Sequence, residues 1–153
     1  MATLFYASAS FILVGLTLQI TIAENIAFYA HTASDGSYPE GKVLKFSNVL
    51  LNDGNGYKPG SGIFTAPVSG VYQFTAHACN SAEKYMVIAI MKGTQQIAVS
   101  TGSGDGSICN SVTTIAKVRK HENVYIVSAW YDSHMFSNDH RWPSFMGFLL
   151  YKI

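Results

Sequence analysis

From residue 25 onward the chain reads as short apolar or alternating runs, each cut off by turn chemistry. The cuts are Asp35-Gly36, Asp53-Gly54, Asn55-Gly56, Pro59-Gly60 and Asp105-Gly106, pairs that suit the tight bends between strands. The runs between them predict strands over 26–32, 43–51, 70–78, 85–91, 95–100, 111–118, 124–131 and 145–151. In the third, Tyr72, Phe74 and Ala76 share one parity and hence one face of a pleated strand. The last, Phe145-Met146-Gly147-Phe148-Leu149-Leu150-Tyr151, is apolar throughout, the pattern of a strand covered on both sides. The core supplies one cover and a subunit interface the other. No stretch combines a helical period with caps, no internal repeat is present, and no Gly-X-Y tract precedes the strands. The expected class is all-β, a sandwich or jelly roll.

Composition sharpens this picture. Nine Tyr, nine Phe and two Trp favour pleated sheet, and the 12% charged fraction is about half that of an average globular domain. A net charge of +1, with only Lys117, Arg119 and Lys120 clustered, provides no field for gathering a polyanion, so nucleic acid is excluded as a partner. Residues 4–22 carry no charged side chain, and Thr21 and Ala23 suit the small positions of a cleavage site. We read residues 1–23 as a signal peptide and 24–153 as the mature domain, secreted and with no membrane span. A membrane anchor is the rival reading, diluted by Ser, Thr and Gln, and an extra ordered strand is a third. Cys79 and Cys109 form an even pair without the close spacing of a redox or metal motif, which leaves a disulfide or two buried thiols.

Phe46, Asn52, Tyr57, Phe64, Gly70, Tyr72 and Phe74 stand in the order and spacing of the C1q-domain signature. The segment Gly62-Ile63-Phe64-Thr65-Ala66-Pro67-Val68-Ser69-Gly70-Val71-Tyr72 and the closing run 144–150 also resemble that family, over about residues 25–153. Two departures stand out. Ala76 replaces an expected aromatic, and Lys120-His121-Glu122-Asn123 replaces a Gly-Asp turn. The resemblance implies a ten-stranded jelly-roll β-sandwich of the C1q and tumour-necrosis-factor superfamily, assembled as a homotrimer. It also implies that Cys79 and Cys109 lie at the same end of one sheet, which favours the disulfide.

Catalytic motifs are missing. There is no Gly-x-Ser-x-Gly elbow, no phosphate loop and no His-Glu-x-x-His, and the five histidines are dispersed. No enzyme activity is expected. The segment 132–143 is the most unusual, because it gathers two acids, two histidines, an amide, Arg141 and Trp142 between strands. Arg pairs carboxylates in two-point fashion, Asn and Asp take hydroxyls, and Trp packs on an apolar sugar face. Asn138, Asp139, His140, Arg141 and Trp142 are therefore the candidate ligand site, and no cofactor is required. Calcium is a weaker candidate, with Asp132, Asn138 and Asp139 as oxygen donors. The expected function is lectin-like recognition of microbial or cell-surface glycans, such as sialic acid or lipopolysaccharide, in innate immunity. The alternative is a receptor-clustering ligand of the cerebellin or adiponectin kind.

Overall fold

The computed structural model describes residues 25–153, so the leader expected over 1–23 lies outside the described residues. Twelve strands and no helix make up the described chain. They are β1 (Ala27–His31), β2 (Gly36–Tyr38), β3 (Asn48–Asp53), β4 (Tyr57–Lys58), β5 (Ile63–Thr65), β6 (Gly70–Cys79), β7 (Met86–Lys92), β8 (Gln95–Gly102), β9 (Cys109–Val118), β10 (Asn123–Ser128), β11 (Ser133–Met135) and β12 (Ser144–Lys152). Ten of them form two five-stranded sheets, in the orders β3-β1-β12-β6-β9 and β4-β5-β10-β7-β8, while β2 and β11 pair as a small ribbon. All the strand pairings are antiparallel. The architecture is the jelly-roll sandwich that the resemblance implies.

Between the sheets lies an aromatic core made largely of the signature residues. Phe46, Tyr57, Phe64, Tyr72 and Phe74 are all buried, and Phe28 stacks on Phe64 at 4.8 Å and meets Phe145 edge-on at 4.8 Å. Such rings bury roughly 150–250 Å² each and dominate the burial energy. Asn52 has another task. Its side-chain amide donates to the Tyr57 carbonyl and its oxygen accepts the Tyr57 N–H, both at 3.0 Å, clamping the turn 53–56. Gly62 is needed for its backbone, at φ +77°, and because a Cβ there would strike the Leu44 carbonyl.

Two expectations are corrected. The strand expected over 43–51 divides: Val43 bridges Val127 in the second sheet, residues 44–47 cross between sheets, and β3 begins only at Asn48 in the first. Its unbroken pattern reflects burial of Leu44 and Phe46 during the crossing, not one continuous ladder. The strand expected over 124–131 ends at Ser128, and Trp130 and Tyr131 belong to a loop. For β12, expected to take one cover from the core and the other from a subunit interface, this chain supplies the core side. Phe145 and Gly147 face the core, while Met146 and Phe148 line an outward depression with Ala27, Tyr29 and Leu51.

The Lys120-His121 departure is accommodated locally. His121 adopts the left-handed conformation at φ +68°, and the Glu122 carboxylate accepts the Arg119 N–H at 2.9 Å to close the turn. Short polar residues and His enter that region more readily than other side chains, so the turn survives without glycine. Ala76 is fully buried and simply occupies less of the core.

Candidate recognition surface

Strand polarity divides the functional groups between the two ends of the sandwich. Ala27 lies opposite Asp53 and Phe148, and Lys152 opposite Gly70, so both described chain ends sit at one end. At the other end β1, β6, β8 and β10 finish and β7, β9 and β12 begin. The connections 80–85, 103–108 and 129–143 therefore share that end, and together they carry the exposed aromatics found outside the strands, Tyr85, Trp130, Tyr131 and Trp142, beside the exposed charges of Glu83, Lys84, Asp105 and Asp139.

Residues 138–141 form a tight turn. The Asn138 N–H donates to the Arg141 carbonyl and the Arg141 N–H to the Asn138 carbonyl, each at 3.1 Å, while Asn138 Oδ1 accepts the His140 N–H at 3.0 Å. Asp139 and His140 are thereby exposed at the tip. Arg141 folds back: its guanidinium lies 5.6 Å over the Phe136 ring, and its Nε donates to the Ser107 carbonyl at 3.2 Å. Trp142 is 48% exposed and stacks by one face on His31, at 4.4 Å and 10°. Four of the five expected residues, Asn138 to Arg141, thus form one turn and Trp142 follows it, with Arg141 and Trp142 each held by a different partner.

Sequence reasoning missed the residue that supports this arrangement. Asn80 is fully buried, and its amide donates to the Ser81 and Gly106 carbonyls at 2.8 and 3.1 Å while its oxygen accepts the Ile108 N–H at 3.1 Å. It fixes the loop whose Ser107 carbonyl receives Arg141. A lone Asn after a strand gives no hint of that role. Also missed were Trp130 and Tyr131, 43% and 69% exposed with ring centroids 4.7 Å apart. Near them His134 Nε2 lies 2.9 Å from Asp132, and the Lys84 ammonium 3.6 Å from the same carboxylate. The His134 hydrogen bond, helped by Lys84, holds the Asp132 carboxyl below its usual range. A cleft of about 320 Å³ beside them is lined by Glu83, Lys84, Tyr85, Ser103, Gly104 and Asp105.

The disulfide closes the same end. Cys79 and Cys109 face each other across β6 and β9 and are bonded. Beside it, burial lowers the His77 pKa below the usual imidazole value. Of the three potential calcium donors, Asp132 is engaged by His134 and Lys84, and Asn138 Oδ1 by its own turn. The basic cluster of Lys117 and Arg119 lies at the opposite end, where Lys92 Nζ donates to the Lys117 carbonyl at 3.3 Å.

A two-sheet jelly roll that gathers aromatic and charged loops at the end away from its termini is a recognition module. The C1q-domain profile matches residues 27–150, and the chain belongs to the C1q-domain family. It is 29% identical over 122 residues to complement C1q tumor necrosis factor-related protein 2 of Mus musculus, covering 75% of this chain and 40% of that protein. It is 31% identical over 107 residues to a polypeptide of the complement C1q subcomponent of Homo sapiens, covering 67% and 42%. The chain thus spans about two fifths of the length of these curated relatives. Among solved structures, the globular domain of zebrafish complement 1qA protein matches with a TM-score of 0.68 at 20% identity, covering 84% of this chain and 99% of that one. Eiger TNF from S. frugiperda matches with a TM-score of 0.64 at 10% identity, covering 85% and 95%. Domains of this family are ligand and recognition modules without enzymatic chemistry, and they generally need no cofactor. No helix among the described residues is long and apolar enough to cross a membrane.

Proposed function

We propose that the protein is secreted after removal of residues 1–23, trimerises, and binds glycans of microbes or cell surfaces through its loop end. Domains of the C1q and tumour-necrosis-factor class form trimers, and the outward face of the first sheet offers this chain a suitable contact. Ala27, Tyr29, Leu51, Met146 and Phe148 leave apolar surface uncovered there, which a second and third copy would bury. A three-fold arrangement about that face points the three loop ends in one direction. Weak sites on one rigid body gain avidity by roughly 10²–10⁴ where the ligand spacing allows.

The observation that carries the glycan reading is Trp142, half-exposed and stacked on His31 by one face, beside the anchored Arg141. The free indole face suits a sugar's apolar side and the guanidinium suits a carboxylate or phosphate. A glycan array on the trimer, run with and without calcium, tests this directly. Loss of a charge-assisted pair costs about 1.5–3 kcal/mol, so Arg141→Ala is expected to weaken acidic glycans roughly 10-fold to 150-fold. Trp142→Ala is expected to weaken neutral and acidic glycans alike. If neither substitution alters binding of the best array ligand in an intact trimer, the site is elsewhere.

One observation favours a second reading, a receptor-clustering ligand. The exposed Trp130–Tyr131 pair is of the residue types enriched at protein-binding hot spots. A flat array together with capture of a cell-surface receptor that is lost in Tyr131→Ala would select it.

A further inference from the structure

His77, Cys79 and Cys109 bring one imidazole nitrogen and two sulfurs within 4.8 Å of one another. No other three His, Cys, Asp or Glu ligand atoms gather in this way among the described residues. The grouping follows from the ladder. Cys79 faces Cys109 and His77 faces Ser111 across β6 and β9, and residues two apart share a face of the sheet. His77 Nδ1 lies 2.8 Å from Ser111 Oγ, which aims Nε2 at Cys79 Sγ, 3.8 Å away. An imidazole oriented through its far nitrogen is the usual arrangement of a metal-binding histidine.

We propose that reduction of the Cys79–Cys109 disulfide creates a metal site, in which the two thiolates and His77 Nε2 hold one d¹⁰ ion of the zinc class. Bonds of ~2.05 Å to nitrogen and ~2.3 Å to sulfur in tetrahedral geometry place N and S about 3.5 Å apart, so the His77–Cys79 edge is nearly in place. The two sulfurs must part to about 3.8 Å, which rotation of the freed side chains about their Cα–Cβ bonds supplies. A water completes the fourth position.

The electrons come from a dithiol. Its thiolate attacks one sulfur of the disulfide to give a mixed disulfide, and its second thiol displaces the protein sulfur, leaving a cyclic disulfide and two protein thiols. Each thiol releases its proton to solvent on ligation, and two thiolates with a neutral imidazole offset the charge of Zn²⁺ in full. Ser111 is a positioning residue in this scheme. In the oxidised chain the sulfurs are bonded to each other and the site does not bind.

The test uses the full secreted chain, reduced with a phosphine that does not chelate, with Zn²⁺ offered from a chromogenic chelator. Reduced protein is expected to withdraw one equivalent of Zn²⁺ and oxidised protein none. Ser111→Ala is expected to bind about 10-fold to 100-fold more weakly. His77→Ala, which keeps the disulfide during folding, is expected to bind more weakly still. With Co²⁺ in place of Zn²⁺ the reduced chain should show a thiolate-to-cobalt charge-transfer band that His77→Ala alters. Equal Zn²⁺ affinity in reduced wild-type and reduced His77→Ala overturns the proposal. So does a reduced chain that loses its near-ultraviolet circular dichroism and does not regain it when Zn²⁺ is added.

Discussion

Replacing Tyr57 by Phe removes one oxygen from the interior and leaves the ring. Tyr57 is 1% exposed, and its hydroxyl both accepts the Phe46 N–H at 3.1 Å and donates to the Phe46 carbonyl at 3.0 Å. Phe46 lies on the crossing between sheets, outside any strand ladder, so this hydroxyl stands in for a neighbouring backbone. The variant keeps the stacking of the ring on Phe28 at 5.1 Å but leaves a buried donor and acceptor unpaired. At about 1–3 kcal/mol for each orphaned group, with the carbonyl at the low end, the loss is about 2–4 kcal/mol. For a domain of this size that lowers Tm by roughly 7–15 °C. The assay is a thermal melt at matched protein concentration, since assembly raises apparent stability. Burial pushes the Tyr57 hydroxyl above the usual phenol value, with the Phe46 backbone bond pulling it partly back. Its contribution is therefore complete below about pH 10, where the unfolded phenol is still protonated, and is lost as pH rises through the higher folded value. Tyr57→Phe should lack that alkaline decline. A Tm within about 2 °C of wild type would refute the idea that one hydroxyl secures the crossing.

Two further outcomes are expected. Phe148→Asp places a carboxylate in the outward apolar depression of the first sheet, and light scattering at micromolar concentration should then show monomer where the wild type shows trimer; a persisting trimer assigns the interface to another face. The double substitution Cys79→Ala with Cys109→Ala opens a cross-link spanning thirty residues and should cost about 3–4 kcal/mol in denaturant unfolding, so an unchanged midpoint would remove the disulfide from the stabilising interactions.

The parts of the fold that were legible in the chain are those where one local signal suffices. Strand β6 alternates Tyr72, Phe74 and Ala76 inward over ten residues, and β7 and β9 lie within two residues of expectation at each end. The 43–51 segment misled because alternation reports burial, and a chain crossing from one sheet to the other buries Leu44 and Phe46 as effectively as a strand does. The ribbon of β2 and β11 left no trace, since Gly36-Ser37-Tyr38 and Ser133-His134-Met135 carry no alternation and pair across almost a hundred residues. At the candidate site the composition of 138–142 marked the turn, but its support did not show. Asn80 and the Ser107 carbonyl act through backbone contacts that depend on where loops meet, and residue type alone does not encode that meeting.

The turn at 138–141 is closed by its own backbone and by Asn138, while the two residues at its tip, Asp139 and His140, lend it no side-chain bond. Exposed tip positions of that kind can change identity with effects generally within about 0.5 kcal/mol on stability. Chemistry at the tip is therefore uncoupled from the integrity of the sandwich. If the turn is the ligand site proposed above, related chains could exchange those two residues to follow a changing ligand while Asn80 and the disulfide hold the platform still. For the same reason 139 and 140 are positions at which a randomised library would disturb folding least, and on that proposal they are where it would change specificity.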